Sequence, residues 1–547
     1  MRQALLTRPQ AQSRQEIARG ASIPAPTGGW NAISPLAGMP KQDAVLLDNF
    51  TPRPGYVEAR RGFIRHAYGL SAPVQTLMAY RGADDHQLFA VSGGDLYAAD
   101  AGAFGAPLVS SLNSPRWQYV NFSNAAGIYL LAFSGADTPL KYDGSSWTTN
   151  TITGPTSSTL IDVMVHKRRV FMAQKDSLSV WYLDVEAISG AASELDLGPI
   201  FSLGGTLACM GTWTVDGGAG PDDLAVFVTT QGQVAVYQGL DPADANEWSL
   251  IGVFTLGKPL GRRSLLQYGS DLVLLTVNGV IPMTQAAVFD RAQQGNVALT
   301  AKVQNAFAQA VALYQDNFGW DAFLYPNSQL AIYNIPVTTL GTSYQFVQNL
   351  QTGAWARYKG VNAFCWAYSD GRAYFGGRGG VFAFDTSSAD DGEPITCDVT
   401  TAFQSFGAAR NKQFTMIRPI LRAPSGVMPA IDVLVDYREG IPTSTPTVAQ
   451  ASGMVWGAMI WGSMVWSSLG IRQDWTTVGA IGYVGAARMR VVLSAPAVNF
   501  EILLEDGSGG IELENGTGVI LMEDSLYPEV TCQLIGFDLM LQGAALL

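Results

Sequence analysis

The stretch Gln87-Leu-Phe-Ala-Val-Ser92, Gly93-Gly94, Asp95-Leu-Tyr-Ala-Ala99 decides the fold. A short apolar run meets a two-glycine turn, and a second apolar run follows. That is the pattern of two antiparallel strands, because glycine supplies the positive φ that tight turns need. The pattern recurs. Gly127-Ile-Tyr-Leu-Leu-Ala-Phe133 precedes Leu140-Lys-Tyr142, Asp143-Gly144 and Trp147. Arg169-Val-Phe-Met-Ala173 leads to Leu178-Ser-Val-Trp-Tyr182, and Leu224-Ala-Val-Phe-Val228 leads through Gln231-Gly232 to Val234-Ala-Val-Tyr237. Leu272-Val-Leu-Leu-Thr-Val277 passes Asn278-Gly279 into Val280-Ile281. Leu330-Ala-Ile-Tyr333 continues to Phe346, Thr352-Gly353 and Trp355. Ala373-Tyr-Phe375 passes Gly376-Gly377 into Val381-Phe-Ala-Phe384. Paired strands repeating at about 40–60 residues indicate propeller blades. The degenerate copies bracket the count at six to eight blades. A tandem of β-sandwiches is the alternative.

Composition agrees with a large β core. The chain has 547 residues, 48% hydrophobic and 14% charged, with 59 glycines. A disordered chain, a coiled coil and a basic nucleic-acid-coating protein are excluded. The net charge of −12 argues against gripping duplex DNA, whose affinity comes from neutralised phosphates. That charge is local. Residues 501–547 hold nine acids and no base, so the first 500 residues carry only −3.

One segment departs from the β pattern. Leu299, Val303, Phe307, Val311 and Tyr314 recur at helical spacing between Asn296 and Tyr314, with Ala306 and Ala310 on the same face. An inserted helix is expected, as a strut between blades or an interaction element. Residues 1–44 read as an extended N-terminal arm, because Pro24, Pro26, Pro35, Pro40, Gly28, Gly29 and Gly38 leave little room for regular structure. The propeller is assigned to 45–395. Residues 396–547 form a β-rich platform with strands at Phe414-Thr-Met-Ile-Arg-Pro-Ile-Leu421, Ala430-Ile-Asp-Val-Leu-Val-Asp-Tyr437 and Met489-Arg-Val-Val-Leu493.

The platform holds two short repeats. Trp456, Trp461 and Trp466 end Met-x-Trp triplets five residues apart, a period that fits no strand without intervening turns. They read as hairpin packing or an intersubunit interface, with an exposed apolar patch for membrane or receptor contact as the alternative. Ile502-Leu-Leu-Glu-Asp-Gly-Ser-Gly509 recurs as Ile511-Glu-Leu-Glu-Asn-Gly-Thr-Gly518, then partly as Ile520-Leu-Met-Glu-Asp524. A parallel roll would stack Glu505, Glu514 and Glu523 in a column that invites Ca²⁺. The Asp-Gly and Asn-Gly turns favour an antiparallel hairpin repeat with a solvated acidic rim, and no metal is expected.

Enzyme motifs fail. Gly252-Val-Phe-Thr-Leu-Gly257-Lys258 begins like a phosphate loop, but Pro259 stands where Ser or Thr must hold Mg²⁺. His66, His86 and His166 are isolated, and no GxSxG elbow occurs. Tyr142-Asp143-Gly144 resembles a sialidase Asp-box turn with its glycine one place early. No catalytic set and no cofactor is expected. Cys209, Cys365, Cys397 and Cys532 read as reduced core thiols. The basic clusters Arg60-Arg61, His166-Lys-Arg-Arg169 and Arg262-Arg263 read as solvated loops or subunit salt bridges. No apolar run is long enough for a secretory signal or a membrane-spanning helix.

The run Asp48-Asn49-Phe50-Thr51-Pro52-Arg53-Pro54-Gly55-Tyr56-Val57-Glu58-Ala59-Arg60-Arg61-Gly62 resembles an entry motif of short-tailed phage tail proteins. These are the tail nozzle (tail tubular protein B-like) and packaged-DNA stabilisation hub proteins. Gly29-Trp30-Asn31, Leu36-Ala-Gly-Met39-Pro40, Leu299-Thr-Ala-Lys-Val303, Leu324-Tyr-Pro-Asn327, Ile332-Tyr-Asn-Ile-Pro336 and Gly353-Ala-Trp355 are similar to theirs, in the same order. The Met-x-Trp pentads are similar to their Trp-repeat segments. The resemblance implies a structural virion protein, assembled in the host cytoplasm and resident in the tail. It implies a ring, a hexamer, that extends the portal-adaptor channel for genome retention and DNA ejection. Asn49, Pro52, Gly55, Arg60 and Gly62 would be structural motif residues. The implied partners are further copies of the chain, a tail adaptor or portal-proximal ring, tail fibre or spike proteins, and DNA that passes without sequence-specific binding. Glu505, Asp506, Glu514, Glu523 and Asp524 would then line the channel or its rim and repel phosphates. A glycan-binding or glycan-degrading tail propeller is the alternative; degradation would need paired carboxylates in a central cleft.

Overall fold

The computed structural model describes residues 18–83, 85–216, 221–286, 298–407, 410–423, 427–438, 470–493 and 532–543. Seven antiparallel groups of three or four strands follow one another in the chain. Their first strands are Val74–Arg81, Gln118–Asn124, Leu160–His166, Leu207–Asp216, Leu265–Tyr268, Asp321–Tyr325 and Cys365–Ser369. Each neighbours the next, and the seventh returns to the first, so these strands ring a common axis. The molecule contains a seven-bladed β-propeller, within the expected range.

Blade 7 closes the ring with chain from both ends of the propeller. Its inner strands are Cys365–Ser369, Arg372–Gly377 and Gly380–Ser387; its outer strand is Gly62–Tyr68, which precedes blade 1. Seven buried clusters hold the blades, one in each gap between neighbours. Propeller blades pack face to face, so both faces of each middle strand become apolar. Leu224, Val226 and Val228 face blade 5 while Ala225 and Phe227 face blade 3.

The glycine turns behave as their sequence implies, with one shift. Gly93 and Gly279 adopt φ +64° and +128°. Gly376 and Gly377 lie inside a strand, and the turn falls at Arg378-Gly379, where Gly379 takes φ +82°. Gly376 is needed for approach rather than turning. A Cβ there would stand 2.6 Å from Cys365 Sγ and 2.8 Å from the Val74 carbonyl oxygen.

Blade 6 does not end at its fourth strand. Trp355–Lys359 pairs onward with Gly29–Trp30 and Asp43–Asp48, followed by Ile395–Thr401, Gly485–Leu493 and Ala430–Val435. The result is one nine-stranded sheet shared by propeller and platform. A second, seven-stranded sheet centres on Lys412–Ala423 and Gln533–Gly543 and carries Arg19–Pro24, Phe50–Arg53 and Tyr56–Ala59. One buried cluster runs between the two sheets and into blades 5 and 6.

The segment 18–44 is therefore not an arm. Arg19–Pro24 pairs along its length with residues 536–541, and Ile23, Trp30 and Ala44 are buried. Its prolines and glycines shape short strands that borrow their core from the C-terminal chain. Residues 19–59 belong to the platform, and the propeller spans residues 62–387.

The helix forms where its periodicity placed it. A 3₁₀ turn at Leu299–Val303 runs into an α-helix at Gln304–Tyr314, with Val303, Phe307 and Val311 buried. It is a strut. Gln304 Nε2 donates to the Asn278 carbonyl of blade 5, and Phe307 sits against Trp320 and Phe346 of blade 6. All four cysteines are free and buried, and burial raises their thiol pKa values, to about 12 for Cys365 and Cys532.

Candidate functional site

Four of the segments that carry the family resemblance, 29–31, 48–62, 299–303 and 353–355, meet at the joint between platform and propeller. The strands Phe50–Arg53 and Tyr56–Ala59 form a hairpin with Arg53 opposite Tyr56. Pro54 and Gly55 make its turn. Proline presets φ at the second position, and Gly55 at φ +87° meets the type II requirement at the third. Pro52 lacks an amide donor but lies on the edge strand of its sheet, where none is needed. Its carbonyl accepts from Asn349 Nδ2 at 3.0 Å.

Asn49 and Arg60 bind each other and much else. Asn49 holds φ +57°, a conformation asparagine tolerates better than most residues. Its Oδ1 accepts from Arg60 Nε at 2.9 Å and from the Lys359 amide at 2.8 Å. Its Nδ2 donates to the Thr396 carbonyl at 2.8 Å. Arg60 is buried and forms a two-pronged pair with Asp390 at 2.8 and 2.5 Å. Burial opposes its charge, but Asp390 outweighs that and raises the Arg60 pKa. Gly62 passes so close to Ala389 that a Cβ would lie 1.9 Å from the Ala389 carbonyl oxygen.

Residues of 29–31, 299–303 and 353–355 join the same place, whereas Asn327 lies away from it, donating to the Gly371 carbonyl of blade 7. Asn31 Nδ2 donates to Asp43, which also pairs with Lys302 of the 3₁₀ turn at 2.7 Å. Trp30 packs edge-on against Phe346 and under the Arg357 guanidinium. Arg357 grips Asp48 at 2.7 and 2.9 Å, and Trp355 Nε1 donates to the Leu299 carbonyl at 3.1 Å. Five stretches far apart in sequence thus close one rigid, polar joint. What it can do chemically is hold two domains in fixed orientation.

A second polar cluster occupies the propeller axis. Arg263, just before blade 5, reaches Thr76 Oγ1 at 3.1 Å, Gln118 Oε1 at 3.2 Å and the Trp117 carbonyl at 3.2 Å. Those residues belong to blades 1 and 2, the two most distant from blade 5 in a sevenfold ring. Arg263 therefore crosses the axis. Asp321 of blade 6 stands 3.8 Å from it and accepts from the Trp366 amide of blade 7. Asp162 of blade 3 accepts from the Met210 amide of blade 4 at 2.8 Å. Burial raises Asp162 to about 7 and Asp321 to about 6. Among the described residues, no group of three or more His, Cys, Asp or Glu side chains is placed to hold a metal ion.

Several other readings can be placed. Each basic cluster has at least one member with a partner inside the chain. Arg60 is in the joint, Arg168 pairs with Glu186, Arg169 with Asp241 at 3.0 Å, and Arg263 is axial. The sequence marks Arg263 as part of a basic pair but not as axial, and nothing in it marks Asp162 or Asp321 beyond a charged residue beside an apolar strand. Asp143 caps its own turn by accepting from the Ser145 and Ser146 amides, which hold its pKa down at about 2. The phosphate-loop look-alike lies mostly in the strand Trp248–Thr255. Asp538, one of the nine C-terminal acids, pairs with Arg418 at 2.8 Å and sits in the platform. Trp456, Trp461, Trp466, Glu505, Asp506, Glu514, Glu523 and Asp524 lie outside the described residues. No described helix is long and apolar enough to cross a membrane.

No family model and no curated protein matches the chain. Among solved structures it is similar to the β-propeller domain of Cps50 (Swd1) from Myceliophteria thermophila, with TM-score 0.38 and 13% identity over 60% of this chain and 100% of that one. It is similar to BBS1N in complex with ARL6DN, with TM-score 0.36 and 10% identity over 61% and 99% of the two chains. A quinonprotein alcohol dehydrogenase-like protein from Bacteroides thetaiotaomicron gives TM-score 0.32 and 12% identity over 62% and 68%. These likenesses concern the β-propeller fold alone, and the blade count rests on the strand pairing above.

Proposed function

We propose that the chain is a structural virion protein, a ring subunit of a short phage tail nozzle or hub that extends the portal-adaptor channel for genome retention and DNA ejection. One observation carries the reading. In the tail-protein-like motif, Asn49, Pro52, Arg60 and Gly62 contact the chain on the propeller side of the joint, and Gly55 makes the turn of the hairpin between them. A ring under internal pressure needs domains that do not swing, and a shared nine-stranded sheet with a buried ion pair at the joint supplies that.

Arg263 crosses the propeller axis, so in this reading DNA passes through the lumen between subunits and not through any one propeller. The proposed assembly is a hexamer that contacts a tail adaptor or portal-proximal ring and carries fibre or spike proteins. Glu505, Asp506, Glu514, Glu523 and Asp524 are assigned to its lumen or rim, where like charge lets DNA slide. The glycan-degrading alternative draws no support from the axis, where Asp162 and Asp321 are buried against backbone amides.

Negative-stain microscopy of the purified chain tests this. A sixfold ring about an open pore is the expected result. A monodisperse monomer that cleaves a surface glycan overturns it.

A further inference from the structure

At one mouth of the propeller axis lies a cavity of about 380 Å³. Its cationic lining comes from three separate blades: Arg116 leads into blade 2, Lys175 follows the second strand of blade 3, and Arg262 leads into blade 5, with Arg263 beside it. Nothing in the sequence groups these residues; the propeller does.

The charges there are poorly compensated. Among the described residues, none of Arg116, Lys175 and Arg262 has a carboxylate oxygen within 4.0 Å of its side-chain nitrogens. Arg116 lies over the Phe318 ring at 3.8 Å, and its Nε donates to Gln75 Oε1 at 3.2 Å. Among the described residues, Arg262 reaches the Ser134 carbonyl alone, at 3.5 Å. The acids in the neighbourhood include Asp162 and Asp176, which act on Arg262, Asp321, which pairs with Arg263, and Asp137, whose carboxylate accepts from the Ser114 amide and the Ser134 hydroxyl. Asp162 is buried and turned to the Met210 amide. Partial burial of its guanidinium lowers the pKa of Arg116, and burial lowers that of Arg262; the neighbouring guanidinium groups lower Arg116 further, and Arg263 does the same to Arg262. Such a cluster has strong demand for an anion, because guanidinium and ammonium donors bind oxyanions through charge-assisted hydrogen bonds.

We propose that this mouth is a binding site for a phosphate dianion, free or as the end of a small phosphomonoester, held by Arg116, Lys175 and Arg262. The three cations reach the cavity from three different blades, and tetrahedral oxygens can be met from several sides where a planar carboxylate cannot. Two negative charges also answer the excess of cations better than one. The cavity is at the small end of ligand-pocket size, about 300–1,000 Å³. Phe318 and Trp320 offer an apolar wall for an ester's carbon atoms.

The test is titration calorimetry on the full chain with inorganic phosphate and with glycerol phosphate, against chloride at equal ionic strength. Saturable binding is expected, weakened about tenfold in R116Q and in K175Q. Both side chains sit on exposed residues, so the variants should keep the wild-type melting temperature in chloride. Tighter binding of glycerol phosphate assigns the site to an ester, and tighter binding of phosphate to the free ion; either supports the site. No saturable binding of either probe overturns the proposal. So does binding that both variants leave unchanged.

Discussion

Arg60 and Asp390 are 330 residues apart in sequence and meet through two hydrogen bonds of 2.8 and 2.5 Å. The first belongs to the chain entering the propeller and the second to the chain leaving it. The pair is buried, so removing one partner strands a charge in a poor solvent for it. R60A is expected to lower unfolding free energy by about 3–5 kcal/mol. R60K keeps a charge but lacks the planar fork that also reaches Asn49 and Lys359, so it should fall between R60A and wild type. Urea unfolding midpoints give the comparison, and an R60A chain with the wild-type midpoint would remove the pair from this role.

Two glycines of the same motif are needed for different reasons, and alanine separates them. Gly55 faces open space but holds φ +87°, so Gly55→Ala should cost about 1 kcal/mol. At Gly62 the new methyl would stand 1.9 Å from the Ala389 carbonyl oxygen, and the outer strand of blade 7 must move to admit it. Gly62→Ala should therefore lose far more stability or fail to fold. Equal melting temperatures for the two variants would contradict the close approach.

Ile23 tests how the N-terminal segment is held. It is 1% exposed and sits in the core between the two platform sheets. Ile23→Ala is expected to cost about 2–5 kcal/mol, as for other large-to-small changes in packed cores. A free arm would show no change in thermal unfolding.

How much of this was legible follows from what each strand faces. The hairpins at 87–99, 169–182 and 224–237 stand out because they sit mid-blade, apolar on both faces and joined by positive-φ turns. The strands lining the axis were missed. Asp162 interrupts Leu160–His166, and Leu265–Tyr268 carries Gln267 and Tyr268, so neither reads as a clean apolar run. The platform was half legible for a different reason. Lys412–Ala423 is a plain strand, but Arg19–Pro24, on the other side of Gln533–Gly543, becomes one only by pairing with that strand across more than 500 residues. Local propensity cannot signal a partner that distant. The joint was legible as a motif and opaque as a mechanism, since Asp390 and Lys359 carry no local mark of their contact with Arg60.

The axial carboxylates give a pH dependence whose sign can be worked out. Burial raises Asp162 from an ordinary 3.8 to about 7 and Asp321 to about 6. Between pH 4 and these values the unfolded chain has released protons that the folded chain still holds. Stability from such a group is fully present below the unfolded pKa and is lost as pH rises through the folded one. Wild-type stability should therefore fall relative to D162N as pH goes from 4 to 7, then run parallel above it. D321N should show the same trend with its window closing near pH 6. Asp143 provides the opposite case, because its turn amides hold it at about 2. Its contribution is present above the ordinary carboxylate range and fades as pH falls towards 2, so the difference between wild type and D143N should change only below pH 4. Urea midpoints of the three variants from pH 3 to 8 separate the two signs. A wild-type-to-D162N difference that stays constant with pH would mean that Asp162 is ionised in the folded chain despite its burial, and that Arg262 compensates it.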